Sequence, residues 1–152
     1  GVFYDGWLDD YCSIIKNDPS VGLLGISAGS YYPGLLKNRF SPHIQSYFLL
    51  STQEIFSKIL NNNNNHFPGS YEKNKYRLIQ EGEIELSRQI LKYGYSIVIV
   101  FNGEIKKFSL KNRYSNNYKQ WPFRYGDIRV SEKNFDLINT LSKIPKIKIQ
   151  DV

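Results

Sequence analysis

Residues 95–110 read YSIVIVF-NG-EIKKFSL. The first seven are an almost unbroken run of β-branched and aromatic residues, the composition of a strand. Asn102-Gly103 is a strong hairpin signal, because both positions of a tight two-residue turn need positive φ. Residues 104–110 are then the returning strand. Immediately upstream, EIELSRQILKYG (residues 83–94) changes to the helical period. Ile84, Ser87 and Leu91 share a face, Leu86 and Ile90 lie beside it, and Gly94 is placed to end the helix. A helix that feeds a buried strand and then a hairpin is the unit that decides an α/β fold.

The remaining chain extends that pattern. Residues 7–16 predict a helix through Trp7, Leu8, Tyr11, Ile14 and Ile15, with Asp9 and Asp10 in its early turns where the dipole favours anions. Residues 17–20 are a turn cluster, 21–26 a buried strand, and 27–42, rich in Gly, Ser, Tyr and Pro, a loop. Residues 43–50 (HIQSYFLL) predict an inner strand. Ser51 and Glu54 have the spacing of a capping box, opening a helix with Ile55, Phe56, Ile59 and Leu60 on its apolar stripe. Residues 61–70 are an Asn-rich low-complexity loop, and a longer helix spans 74–93. Residues 111–152 form a basic extension, with Ser131 capping a last helix that Pro145 stops. The expectation is one domain over 1–152: α/β, a small mixed sheet flanked by helices.

The chain has 152 residues and a formal charge of +6, with 41% apolar and 15% aromatic residues. That is enough to build a core, which sets wholesale disorder aside. The single Cys12 leaves no intrachain disulfide framework and no Cys-based zinc site. The longest purely aliphatic or aromatic run is 97–101, far short of a membrane-spanning helix. No secretory signal pattern opens the chain, which starts at Gly1 and contains no Met, as a piece of a longer chain or a Met-processed one does. Residues 1–60 carry four basic and five acidic side chains, and 71–152 carry sixteen and nine. The basic second half attracts phosphates, polyanions or an anionic membrane surface, or else forms an ordinary solvated face. No zinc, helix-turn-helix or RNA-binding signature accompanies it, so nucleic acid is not an expected partner.

Common catalytic motifs are missing: there is no phosphate-binding Gly-rich loop, no G-x-G-x-x-G, no H-E-x-x-H and no D-x-D. Cys12 and His43 are the residue types of a nucleophile pair, but a lone Cys on an apolar helical face reads first as a small core residue. His66 reads as exposed. On a regular strand His43 and Gln45 share a face, placing a polar pair at one edge of the sheet.

Three segments taken in order, with VGLLGIS (21–27), HIQSYFLLS (43–51) and EIELSRQILKYGY (83–95), resemble the rhamnan synthesis protein F family. These are bacterial glycosyltransferases that build rhamnose-containing cell-surface polysaccharides. Residues 23–27, 43–50 and 82–87 occupy the places of the family's motifs, and the resemblance covers roughly 1–101. The helix segment is also similar, in part, to the E-D-x-E-L motif of the wider GT-A glycosyltransferases, in which an acidic residue deprotonates the acceptor hydroxyl.

The resemblance implies the acceptor-side, C-terminal half of a GT-A fold. Glu83 matches the position of the catalytic base and Glu85 the second acidic position. His43 and Gln45 would hydrogen-bond sugar hydroxyls or the leaving diphosphate. Tyr31, Tyr32 and Trp121 would offer flat faces to a sugar ring, although the core reading of each aromatic weighs more. The implied partners are a nucleotide-sugar donor and a saccharide acceptor, with any Mg or Mn ion held by residues upstream of this sequence. The implied location is cytoplasmic, with peripheral contact at the inner membrane face. The competing expectation is a non-catalytic carbohydrate- or protein-binding domain on the same scaffold.

Overall fold

A computed structural model describes residues 6–31, 40–101 and 104–112. The Asn102-Gly103 turn, Tyr32, Trp121 and the helix expected after Ser131 lie outside the described residues, as does nearly all of the basic extension.

The described chain is a mixed α/β structure. Helix α1 (Trp7–Asn17) leads into strand β1 (Val21–Gly25). Strands β2 (Ala28–Tyr31) and β3 (Phe40–Ile44) pair antiparallel as a separate two-stranded ladder. A two-residue strand β4 (Leu49–Leu50) precedes α2 (Gln53–Asn62). The third helix runs in three joined segments: α3 (Lys75–Leu78), a π-helical stretch (Ile79–Ile84) and α4 (Glu85–Lys92). Strands β5 (Ser96–Phe101) and β6 (Glu104–Phe108) follow, then a 3₁₀ turn at Leu110–Asn112.

The main sheet has the order β4-β1-β5-β6. β1 and β5 are parallel, whereas β4 and β6 run antiparallel to their neighbours. The two central strands are covered on both sides, and their alternation divides the core. Ile97 and Ile99 join Leu23 against Ile55, Ile59, Leu86 and Ile90 of α2 and α4. Val98 and Val100 join Leu24 against Tyr11 and Ile14 of α1. Two buried faces are why β1 and β5 are continuously apolar in sequence. Gly94, at φ +87°, ends the long helix as expected, with its N–H donating to Leu91 O and the N–H of Tyr95 to Ile90 O.

Four expectations need correction. HIQSYFLL is not one inner strand: it contributes the end of β3, a turn at residues 46–47, and the short edge strand β4. Tyr47 is exposed, so the apolar run does not have one buried face. The supposed loop 27–42 contains β2 and most of β3; Pro42 is accommodated because a two-stranded ladder consists only of edges. The α2 cap is Thr52, whose Oγ1 accepts from Ile55 N–H at 3.3 Å. Ser51 instead donates to the Gly22 carbonyl at 2.6 Å, tying the cap region to β1.

The fourth correction concerns the asparagines. Asn61 and Asn62 belong to α2, and Asn64 and Asn65 take positive φ to end it, with Asn65 N–H donating to Leu60 O at 2.8 Å. Asparagine tolerates that conformation better than any other residue with a side chain. Asn63 exchanges hydrogen bonds with Gln89, and Asn62 donates to the Tyr93 hydroxyl, so the run fastens α2 to the long helix.

Candidate functional site

The β3 end and the long helix meet at a seam built mainly by serines. Ser87 lies on the apolar stripe of α4 and is fully buried. Its hydroxyl accepts from the Ile44 N–H at 3.0 Å, satisfying a backbone donor at the point where β3 stops. One turn earlier, within the π-helical stretch, Glu83 reaches the following turn. Its Oε1 accepts from Ser46 N–H at 2.8 Å and from Ser46 Oγ–H at 2.7 Å. Single π-helical turns inside α-helices occur often at functional sites. Glu83 is half-buried, and among the described residues no bond occupies its second oxygen.

His43 lies on β3, two residues before the Gln45 that follows the strand, and feels the Glu83 charge. It is 3% exposed, and its Nδ1 lies 2.7 Å from the Ser41 carbonyl. A carbonyl only accepts, so Nδ1 carries the proton. The imidazole ring sits over Gly29, its partner across the β2–β3 ladder. A Cβ at residue 29 would fall 2.3 Å from Nε2, so only glycine leaves the ring room. Burial pushes the His43 pKa below its ordinary value of 6.5; the Ser41 carbonyl and the Glu83 charge oppose the shift without reversing it.

The expected site residues divide accordingly. The Glu83 charge reaches His43, and Ser46, which carries no local signal in the sequence, hydrogen-bonds Glu83. Gln45 lies just beyond β3, half-buried, with its N–H donating to Ser27 O at 2.9 Å and its Oε1 accepting from the Ser27 hydroxyl. Glu85 is directed elsewhere: it pairs with Arg88 at 2.9 Å and accepts from Gln89. The backbone of Tyr31 closes the β2–β3 ladder opposite Phe40. Cys12 is a half-buried free thiol in α1, and no hydrogen bond links it to His43 among the described residues. His66 is exposed, as expected. Among the described residues no three His, Cys, Asp or Glu side chains converge as a metal centre.

A signal for Ser87 was present in the sequence, because a serine on an apolar stripe must find a buried partner. Nothing local marked Ser46. Its role depends on a turn that brings it 37 residues along the chain to Glu83.

No helix among the described residues is long and apolar enough to cross a membrane. Comparisons with family models, curated proteins and solved structures give no match to this chain.

Proposed function

We propose that this chain is the acceptor-side part of a glycosyltransferase that moves a sugar from a nucleotide donor to a growing saccharide, with Glu83 as the general base. The observation that supports this reading is the half-anchored carboxylate: Oε1 is fixed by two Ser46 donors, and Oε2 is left without a bond among the described residues. In the reaction, Oε2 takes the proton of the acceptor hydroxyl. The deprotonated acceptor oxygen forms the new bond to the anomeric carbon, and the nucleoside diphosphate leaves with the electron pair of the bond that breaks. A fixed carboxylate serves this step because proton transfer needs hydrogen-bond distance to the attacking oxygen. No described residues are assigned to a divalent ion, because no acidic trio converges.

The test is nucleotide-sugar turnover by the full-length protein that carries this sequence. Glu83→Gln keeps the shape and an acceptor oxygen but cannot take the proton, and turnover is expected to fall about a hundredfold or more. A near-normal rate removes Glu83 from the mechanism. A non-catalytic carbohydrate- or protein-binding domain is the second reading, favoured by the burial of His43, which withdraws it from ligand. Saccharide binding without any turnover by the full-length protein selects that reading.

A further inference from the structure

A polar hollow lies on the other flank of the π-helical stretch. It is an open pocket of about 470 Å³ between the end of α2, residues 66–72 and Glu81. Glu81 and Glu83 are two residues apart, so they leave a helical backbone on nearly opposite sides. Glu83 turns to Ser46, and Glu81 lines the pocket. The pocket is therefore separate from the proposed base.

Its lining combines flat rings with planar polar groups. Tyr71 is 75% exposed, yet its ring is held: its hydroxyl lies 2.6 Å from His66 Nε2, and the two rings meet edge to face at 4.8 Å. Phe67 is braced edge to face against Phe56 at 5.3 Å and still exposes part of its ring. Asn64, Glu72 and Glu81 add an amide and two carboxylates. Among the described residues no Lys or Arg lines the pocket, and Glu81 has no bond there.

The hollow is also pre-formed. Gly69 has φ +75° and lies directly on Gly82 of the π-helical stretch, where a Cβ would come within 2.8 Å of the Gly82 Cα. Ser70 N–H and Oγ–H both donate to Phe67 O, and Glu72 N–H donates to Gly69 O. A loop pinned in this way has little ordering entropy left to lose on binding.

We propose that this pocket is a binding site for a neutral saccharide ring. A pyranose offers an apolar C–H face, which fits an exposed tyrosine ring, and a rim of hydroxyl donors, which fits carboxylate and amide acceptors. Two carboxylates with no opposing cation disfavour phosphorylated or uronic sugars. A compact ammonium group would also meet carboxylates and rings, but it leaves the amide and most of the volume unused. The inference goes beyond the transferase reading and does not depend on catalysis at Glu83.

The test is a backbone-amide NMR titration of the 152-residue chain with methyl glucoside, methyl rhamnoside, glucuronate and tetramethylammonium. The neutral glycosides are expected to shift the amides of residues 64–72 and 81–82. Tyr71→Ala and Glu81→Gln are each expected to weaken binding about tenfold, and glucuronate to bind about tenfold more weakly than the glucoside. Binding is read here without turnover, so failure of the proposed base and failure of this site give different results. The proposal is overturned if no neutral glycoside shifts those amides at about 50 mM, a range that detects millimolar binders. It is also overturned if Tyr71→Ala, still folded by its spectrum, binds equally well, or if tetramethylammonium binds more tightly than either glycoside.

Discussion

The two flanks of the π-helical stretch use the same residue type in opposite ways. On the inner flank Glu83 is tied to Ser46, one turn from the buried Ser87. On the outer flank Glu81 faces an open hollow bounded by exposed rings. The inner flank is where the two-stranded ladder, the turn after it and the long helix are joined, so its polar groups replace backbone partners that regular structure would have supplied. On the outer flank most lining groups are bonded locally, Glu72 to the Asn74 N–H and Tyr71 to His66, and among the described residues the Glu81 carboxylate makes no hydrogen bond and faces the hollow. Position on the helix, two residues apart, separates a structural environment from a binding one.

The contrast breaks most readily at Gly29. Alanine there drives its methyl into the His43 ring, which the Ser41 carbonyl and the strand backbone hold in place. Overpacking of this kind should cost about 3 kcal/mol, measured as a fall in the urea midpoint without a change in slope. Tyr71→Ala on the outer flank should leave the midpoint within about 0.5 kcal/mol, as exposed substitutions do. Equal losses at the two positions would show that the flanks are not structurally distinct.

Ser87→Ala is a smaller probe of the same seam. It strands the buried Ile44 N–H, and the expected loss is about 2 kcal/mol, the cost of one unsatisfied buried donor. Ser87→Thr retains the hydroxyl and should recover part of the loss if the extra methyl is accommodated. A neutral Ser87→Ala would mean that the Ile44 N–H finds another acceptor.

Acidification sharpens the comparison further, with the smallest expected effect. His43 has its pKa lowered by burial in the folded protein, so the unfolded chain binds the proton more readily. The stability that the neutral ring allows is present above its ordinary value of 6.5 and is lost as pH falls below that value, with a slope no steeper than one proton gives. Urea midpoints at pH 7 and pH 5 should diverge more for the unaltered chain than for a His43→Asn variant. The same divergence in His43→Asn would locate the titration elsewhere.

Much of the architecture was legible in local sequence because strong periods have few interpretations. The run 95–101 read as a strand by composition, and Ser96–Phe101 is β5. The spacing of Ile84, Ile90 and Leu91 required a helix, and Gly94 ended it through its own backbone preference. HIQSYFLL misled because an apolar run without alternation does not say where it bends. Its bend is set by Ser46 meeting Glu83, a contact between distant parts of the chain. The asparagine run misled because composition reports solvation. It does not report that Asn64 and Asn65 supply the two left-handed residues that end a helix.

The sequence by itself determined the mixed α/β class, the central strands and the long helix carrying Glu83, since each depends on periodicity and on backbone preferences that act within a few residues. Only the tertiary structure decided which oxygen of Glu83 is anchored, that His43 is enclosed by Gly29 and Ser41, and that Glu81 lines a separate hollow with Tyr71. Those outcomes follow from side-chain packing between segments tens of residues apart. Local sequence pattern carries no information about which distant donor reaches a carboxylate first.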